Sequence, residues 1–542
     1  MQPETEEQTV SNILKGFLVK STIRGVSRTV RSATVFWRIV WTVAVLSLSA
    51  LAIYQIQEVT KVYMNFEAET REYTDYGAGF EFPSITVCNQ QPLSSAGRRL
   101  TKIANDTQNL RKFYKNVRHL YESASSLEER NLWDQLLNMA GFYQNIKQSS
   151  IHDIGHKADR FISRCEIEII TNKGVRMVNC TNVNHFVDVN HFNCYTIEPE
   201  IEDEELQSKT RSVELVLYLD MFDFEITDLL AEDTSAVVGA KLVLHENDAY
   251  PNFVDDAILV SHGVNLWVKA ETNIWSHLPE PYGKCDNDLS KTILKTEPNN
   301  EYIYRRNLCI LQCKQNYIMA KCGCRSAIYP TPIHESATLK NNSLPFCGHL
   351  YENITRTHRN LNCMVNKNIF IERNLFDKCN CKLPCNHVTY RAQTMQTFWP
   401  DLPYHLPFYH RFIKHKSFAD KFAIYENITK IATVDLKKAM AMLQENNLIR
   451  YNFIKVTVIQ EQGYVKRNVE SIKVTLPSLL SQIGGTLSLY VGVTAIVVVE
   501  VFELLSNLCK HAYCKFKRSR ERRINDGSRC DTMFGMKSVT HH

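Results

Sequence analysis

The chain has 542 residues, 44% apolar, 10% aromatic and 22% charged, with a formal net charge of +5 and 17 cysteines. These proportions exclude a transporter with a dozen apolar spans and a disordered tail protein. The small charge argues against a dedicated nucleic-acid binder, and the odd cysteine count is high for a reducing compartment.

In chain order, residues 1–34 are basic, with Lys15, Lys20, Arg24, Arg28 and Arg31 against Glu4, Glu6 and Glu7. Residues 39–57 then form a run of 19 without a charge. A helix needs about 20 such residues to cross a bilayer. The run starts too far into the chain and is too long for a secretory signal. Helical spacing follows over 105–148, carried by Leu110, Phe113, Tyr114, Val117 and Leu120, then by Leu132, Trp133, Leu136, Leu137 and Ala140. The acidic run 198–205 reads as a solvated loop, with attraction of cations or basic ligands as the functional alternative. Val213, Leu215, Leu217 and Leu219 alternate as a strand, and 241–245 and 264–268 read as strands. Residues 300–320 read as a helix, 434–446 as another, and 451–459 as a strand. The fold class is a membrane protein with a large α+β domain, its sheet framed by peripheral helices.

A second uncharged run covers 26 residues, 474–499. Basic residues follow it (Lys510, Lys515, Lys517, Arg518, Arg520, Arg522, Arg523), so both termini read as cytoplasmic. The expected plan is cytoplasmic 1–34, a first span 35–57, an extracellular domain 58–473, a second span 474–506 and cytoplasmic 507–542. Two features place the loop outside. Five Asn-x-Ser/Thr sequons, at Asn105, Asn179, Asn341, Asn353 and Asn427, all lie in it and predict N-linked glycans. Fourteen cysteines lie in it too, an even number that seven disulfides would consume, whereas Cys509, Cys514 and Cys530 follow the second span. Cys322-Gly-Cys324 and Cys379-Asn-Cys381 could be zinc pairs, but interleaved sequons place them where disulfides persist, so no metal is expected.

The second run is not a plain anchor. Pro477 suits a first helical turn. Gly484, Ser488 and Gly492 fall four apart, which on a continuous helix makes a small-residue packing stripe. Glu500 and Glu503 follow on one helical face, where carboxylates in an oligomer would ring a cation path. A glycine break would free backbone carbonyls to line a passage.

These residues resemble the degenerin/epithelial sodium channel superfamily, including its acid-sensing and FMRFamide-gated group, over nearly the full length. Phe82-Pro83-Ser84-Ile85-Thr86-Val87-Cys88-Asn89 is similar to the family's post-span motif, and Gly239 to His245 followed by Pro251 to its palm strand. Cys309-x3-Cys313-x8-Cys322-Gly-Cys324 and Cys379-x-Cys381-x2-Pro384-Cys385 resemble its thumb. Gly484-Gly485 through Gly492-Val493-Thr494 to Glu500 resembles its pore helix. The resemblance implies a trimer, homo- or heteromeric, with palm, β-ball, finger, knuckle and thumb, the finger helices at about 98–160 and the thumb at about 285–385. It implies a sodium-selective, amiloride-blockable pore with its filter at Gly492, Val493 and Thr494 and a gate position at Ser481. Tyr282 would couple thumb to wrist. The pairing implied is Cys88–Cys194, Cys165–Cys180, Cys285–Cys385, Cys309–Cys381, Cys313–Cys379, Cys322–Cys363 and Cys324–Cys347, the last five nested between two antiparallel helices. Two motifs depart from the family: Arg24-Gly25 stands where His-Gly is usual, and Cys194-Tyr195-Thr196-Ile197-Glu198 where Cys-Tyr-Thr-Phe-Asn is.

The leading expectation is a plasma-membrane sodium channel opened by an extracellular neuropeptide, in contact with membrane lipids, with sodium as the permeant ion and no cofactor. Proton gating is the runner-up, ahead of mechanical or constitutive opening. A bitopic receptor or scaffold is the non-channel alternative. An ectoenzyme finds no support, since no Gly-x-Ser-x-Gly, His-Glu-x-x-His or phosphate loop is present.

Overall fold

A computed structural model describes residues 10–76, 82–104, 109–171, 173–199, 209–222, 238–297, 300–333, 344–374, 379–460 and 464–521. Asn105, Asn341, Cys530 and the acidic run from 200 onward lie outside the described residues. The chain divides into two compact units, Thr70–Glu470 and the pair Met1–Glu69 with Ser471–His542.

In the larger unit, apolar alternation builds two sheets around one core. A five-stranded antiparallel sheet has the order Val183–Asp188, Phe192–Ile197, Ser84–Asn89, Gly239–His245, Ala257–Ser261. An eight-stranded sheet has the order Ala68–Tyr76, Tyr464–Ile472, Val264–Ser276, Phe453–Gln460, Lys209–Tyr218, Ile162–Thr171, Gly174–Asn179, and Asn386–Phe398 also pairs Val264–Ser276. Ile85 and Val87 of the first sheet and Val213, Leu215, Leu217, Val268 and Val456 of the second are fully buried in one cluster. Strand period 2 puts these residues on the shared face, each side chain contributing about 1.5–3 kcal/mol.

The far face of the eight-stranded sheet is partly covered by helices Ile424–Ala432 and Leu436–Glu445 and the segment around Phe408. Tyr218 stacks on Phe418 with ring centroids 4.0 Å apart. The strand expected at 451–459 starts later, at Phe453, because Leu448–Asn452 makes a helical turn. Asn452 ends that turn, accepting the Met221 N–H on Oδ1 at 2.7 Å and the Leu219 N–H on its carbonyl at 2.8 Å. Beside it, buried Asp220 accepts the Ser95 N–H and hydroxyl at 2.8 and 2.7 Å and meets Lys421 Nζ at 2.8 Å. Burial opposes the charge on Asp220, but these bonds outweigh it and hold the carboxyl well below the usual range.

The stretch expected as the finger forms short helices between Ser95 and Phe161, with Phe113, Val117, Trp133, Leu136 and Phe142 buried together. The expectation of a helix over 300–320 needs correction. Asn300–Ile303 is a strand paired antiparallel to Ile293–Thr296, and the helix runs Arg306–Cys322. Hairpin pairing of Ile293 with Ile303 wins there over helical spacing. Gly323, in the left-handed conformation at φ +65°, ends the helix.

Seven disulfides join Cys88–Cys194, Cys165–Cys180, Cys285–Cys385, Cys309–Cys381, Cys313–Cys379, Cys322–Cys363 and Cys324–Cys347. These are the seven pairs that the resemblance implies. The geometry of the thumb set differs from a ladder between two helices. Cys322–Cys363 alone bridges Arg306–Cys322 to Ile354–Asn374, while Cys309 and Cys313 reach residues beyond the second helix. Cys88 and Cys194 face each other across adjacent antiparallel strands.

The smaller unit contains helices Val10–Lys20, Arg24–Arg31, Val35–Met64, Leu476–Tyr490 and Ala495–Glu521. Val35–Met64 is longer than the 35–57 expected and is the one continuous helix, among the described residues, long and apolar enough to cross a membrane. Lys473 Nζ pairs with Glu67 Oε2 at 2.8 Å in the same unit.

Candidate ion-conducting site

The second apolar run is two helices, not one. Leu476–Tyr490 and Ala495–Tyr513 meet at a bend of 80°, and the pair together meets the length and composition of one broken span or a re-entrant loop. Thr475 caps the first helix, its side chain accepting the Ser478 N–H, and Pro477 occupies the first turn. Thr486 Oγ1 donates to the Gln482 carbonyl at 2.7 Å.

The break falls on Gly492, Val493 and Thr494. Gly492 has φ +74°, the left-handed region where a Cβ is strained. There it terminates the helix. Its N–H donates to the Ser488 carbonyl at 3.1 Å, and Val493 N–H reaches back to Leu487 at 3.2 Å. The Thr494 carbonyl then accepts Val497 N–H at 3.0 Å as the next helix begins. This corrects the single-face stripe: Gly484 and Ser488 share the first helix, but Gly492 lies beyond it. A helix C-terminus presents carbonyl oxygens and the negative end of its dipole, both of which suit a cation.

Gly484 and Gly485 have open space where a Cβ would stand. Packing within this chain therefore does not account for them. Ser481, Gly484, Gly485 and Ser488 are all exposed on Leu476–Tyr490. Gly485 lines a groove of about 610 Å³ with Tyr54, Gln55, Glu58, Gln482 and Thr486. Gln55 Nε2 donates to Tyr490 Oη at 3.1 Å.

Glu500 and Glu503 lie on Ala495–Glu521, with Glu503 exposed. Glu500 has partners that spacing could not reveal. Its carboxylate accepts the Thr22 N–H at 3.2 Å on both oxygens and the Ser21 hydroxyl at 3.2 Å. Ser21 and Glu500 are 479 residues apart in sequence. Ser21 and Thr22 occupy the elbow between Val10–Lys20 and Arg24–Arg31, which Ser27 Oγ also ties to the Val19 carbonyl at 3.4 Å. Gly25 has a packing reason: a Cβ there would stand 2.8 Å from Val45 Cγ2 on Val35–Met64.

The remaining predicted residues lie elsewhere. Tyr282 sits in a turn where its N–H donates to the Pro279 carbonyl at 3.2 Å. Asn179, Asn353 and Asn427 are exposed, as a glycan acceptor must be. Cys509 is a free, exposed thiol. Among the described residues, Cys88, His191 and Cys194 are the one group compact enough for a metal, and the two sulfurs are bonded to each other.

A family model described as amiloride-sensitive sodium channel matches residues 17–504. The chain belongs to that family. It is thus a sodium channel polypeptide of the degenerin/epithelial sodium channel superfamily, a family of ion channels and not of enzymes. It is 24% identical to the FMRFamide-activated amiloride-sensitive sodium channel of Cornu aspersum, over 93% of this chain and 84% of that one. It is 22% identical to the epithelial sodium channel subunit gamma of Pan troglodytes, over 92% and 80%. With the alpha subunit of Mus musculus it shares 26% over 61% of this chain and 41% of that one.

Proposed function

We propose that this channel is a trimeric, sodium-selective, amiloride-blockable pore opened by an extracellular neuropeptide. The observation that supports the conducting role is the helix break at Gly492, Val493 and Thr494, where the backbone leaves the helical hydrogen-bond ladder. Hydrated sodium exchanges water for backbone oxygens in the filter, and Glu500 and Glu503 below it attract cations and repel anions. Ser481 and the unpacked Gly484 and Gly485 face neighbouring copies in this reading, where small residues let three helices approach. Both termini are cytoplasmic and the disulfide-bonded unit is extracellular, with glycans on exposed Asn179, Asn353 and Asn427. Peptide opening is supported by the likeness to a relative whose name includes activation by FMRFamide.

The deciding experiment expresses the full chain and records current while a panel of amidated peptides, and then acid, is applied. A sodium current evoked by peptide and blocked by amiloride is expected. Current evoked by acid alone would replace the peptide with a proton, and surface delivery without current under any stimulus would overturn the channel reading.

A further inference from the structure

The two uncharged runs meet at a polar contact. Gln55 lies within 39–57 and Tyr490 within 474–499. Gln55 Nε2 donates to Tyr490 Oη at 3.1 Å. Among the described residues this is the one side-chain hydrogen bond between Val35–Met64 and Leu476–Tyr490. Gln482 and Thr486, which line the same groove as Gln55, bond inside their own helix instead. Gln482 Nε2 donates to Ser478 Oγ at 2.9 Å, and Thr486 Oγ1 donates to the Gln482 carbonyl.

Close packing does not hold the two helices together here. Gly485 borders the groove with open space where a Cβ would stand. Val35–Met64 has one buried side chain, Ala52, three residues before Gln55 and so on the same face. Tyr490 is the last residue of its helix, and the break follows at once: Val491 N–H turns back to the Leu487 carbonyl at 3.1 Å, and Gly492 has φ +74°. A bond from the last residue of a helix to its neighbour fixes the roll of that end, and roll decides where the backbone beyond it points. We propose that Gln55 is a positioning residue for the pore: by holding the Tyr490 phenol it sets the roll of Leu476–Tyr490, and with it the direction of the backbone at Gly492, Val493 and Thr494. The proposal rests on the reading of 492–494 as the ion filter. Gln55 acts through Tyr490 and not on the ion.

The size of the effect follows from what such bonds contribute between membrane helices. An amide and a phenol in apolar surroundings gain from pairing, but each finds other partners when the pair is broken. The pair therefore favours one setting by roughly three-fold on average and by at most about eighteen-fold. A filter without the bond samples other rolls of the helix end, and its discrimination falls by up to that factor.

The test compares the full-length wild type with Gln55→Leu, Tyr490→Phe and the double variant, which remove the bond and keep most of the bulk. Hydrogen exchange on the purified channel in lipid nanodiscs needs no stimulus. Each single variant should speed exchange over 487–495 by roughly three-fold, with 213–219 unchanged. Bi-ionic reversal potentials, recorded with the stimulus that opens the wild type, should show the sodium-over-potassium permeability ratio falling by roughly three-fold in each. The double variant should lose no more than either single one, because one bond is removed once. Ile53→Val, at an exposed position on the same helix, should change neither readout. Unchanged exchange in the single variants, additive losses in the double, or an equal effect of Ile53→Val would overturn the tether. Faster exchange with an unchanged permeability ratio would make Gln55 a packing residue and overturn its positioning role, while the pore reading stands. A wild type that reaches the surface and conducts under no stimulus would remove the pore reading and this proposal with it.

Discussion

The disulfide-rich segment 285–385 and the bent helix pair Leu476–Tyr490 and Ala495–Tyr513 are both places where local helix gives way, and they are held in opposite ways. Between Cys285 and Cys385 five disulfides fix the chain covalently. At 490–495 the geometry rests on one glycine at φ +74° and a few backbone bonds. A cross-link acts by restricting the unfolded chain, so it rigidifies without choosing a conformation. A left-handed glycine acts on the folded backbone alone, so it selects one conformation at low stability. The cross-linked segment is therefore built to stay, and the break is built to be particular.

The comparison can be broken by substitutions on each side. The largest expected effect is from Cys285→Ser with Cys385→Ser, which removes the outermost of the nested cross-links and, with Cys309–Cys381 still closed, should cost about 3 kcal/mol. Denaturant unfolding should register it, while ion selectivity in surviving channels stays the same. Next is Gly492→Val, which forces a β-branched residue into the left-handed region at about 2 kcal/mol, roughly thirty-fold in population. Sodium current should fall at least ten-fold with normal surface labelling and an unchanged melting temperature of the extracellular unit. If the melting temperature falls instead, the contrast between the two regions fails.

Gly25→Ala places a methyl against Val45 and should cost about 1 kcal/mol through local overpacking, shifting open probability but not selectivity. The smallest effect is from Glu500→Gln. The amide still accepts the Thr22 N–H but loses the charge, so selectivity for sodium over potassium should drop a few-fold with open probability nearly kept. Reversal-potential measurements separate the two variants. A thiol reagent adds a sharper check on the covalent side: applied outside intact cells, it should label neither Cys322 nor Cys381.

Much of the larger unit was legible because its signals are local. Val213, Leu215 and Leu217 alternate and all three are buried. Phe113, Val117 and Trp133 recur at helical spacing and pack in one cluster. The failures came where distant partners decide. Residues 300–303 carry a helix-compatible period, yet Ile293 claims Ile303 across a hairpin. The strand expected from 451 starts at Phe453 because Asn452 is spent on Leu219 and Met221. In the second apolar run, Gly492 left the face on which spacing alone had placed it.

The sequence by itself determined what depends on composition and short spacing. Two uncharged runs and fourteen cysteines confined between them are enough to place a disulfide-bonded domain between two apolar segments. Only the tertiary structure decided how the 474–499 run bends, that Gly25 clears Val45, and that Glu500 closes on Ser21 and Thr22. The reason is physical. Burial and helix period are read from neighbours in the chain, whereas a hydrogen bond between residues 479 apart exists only once the fold has brought them together.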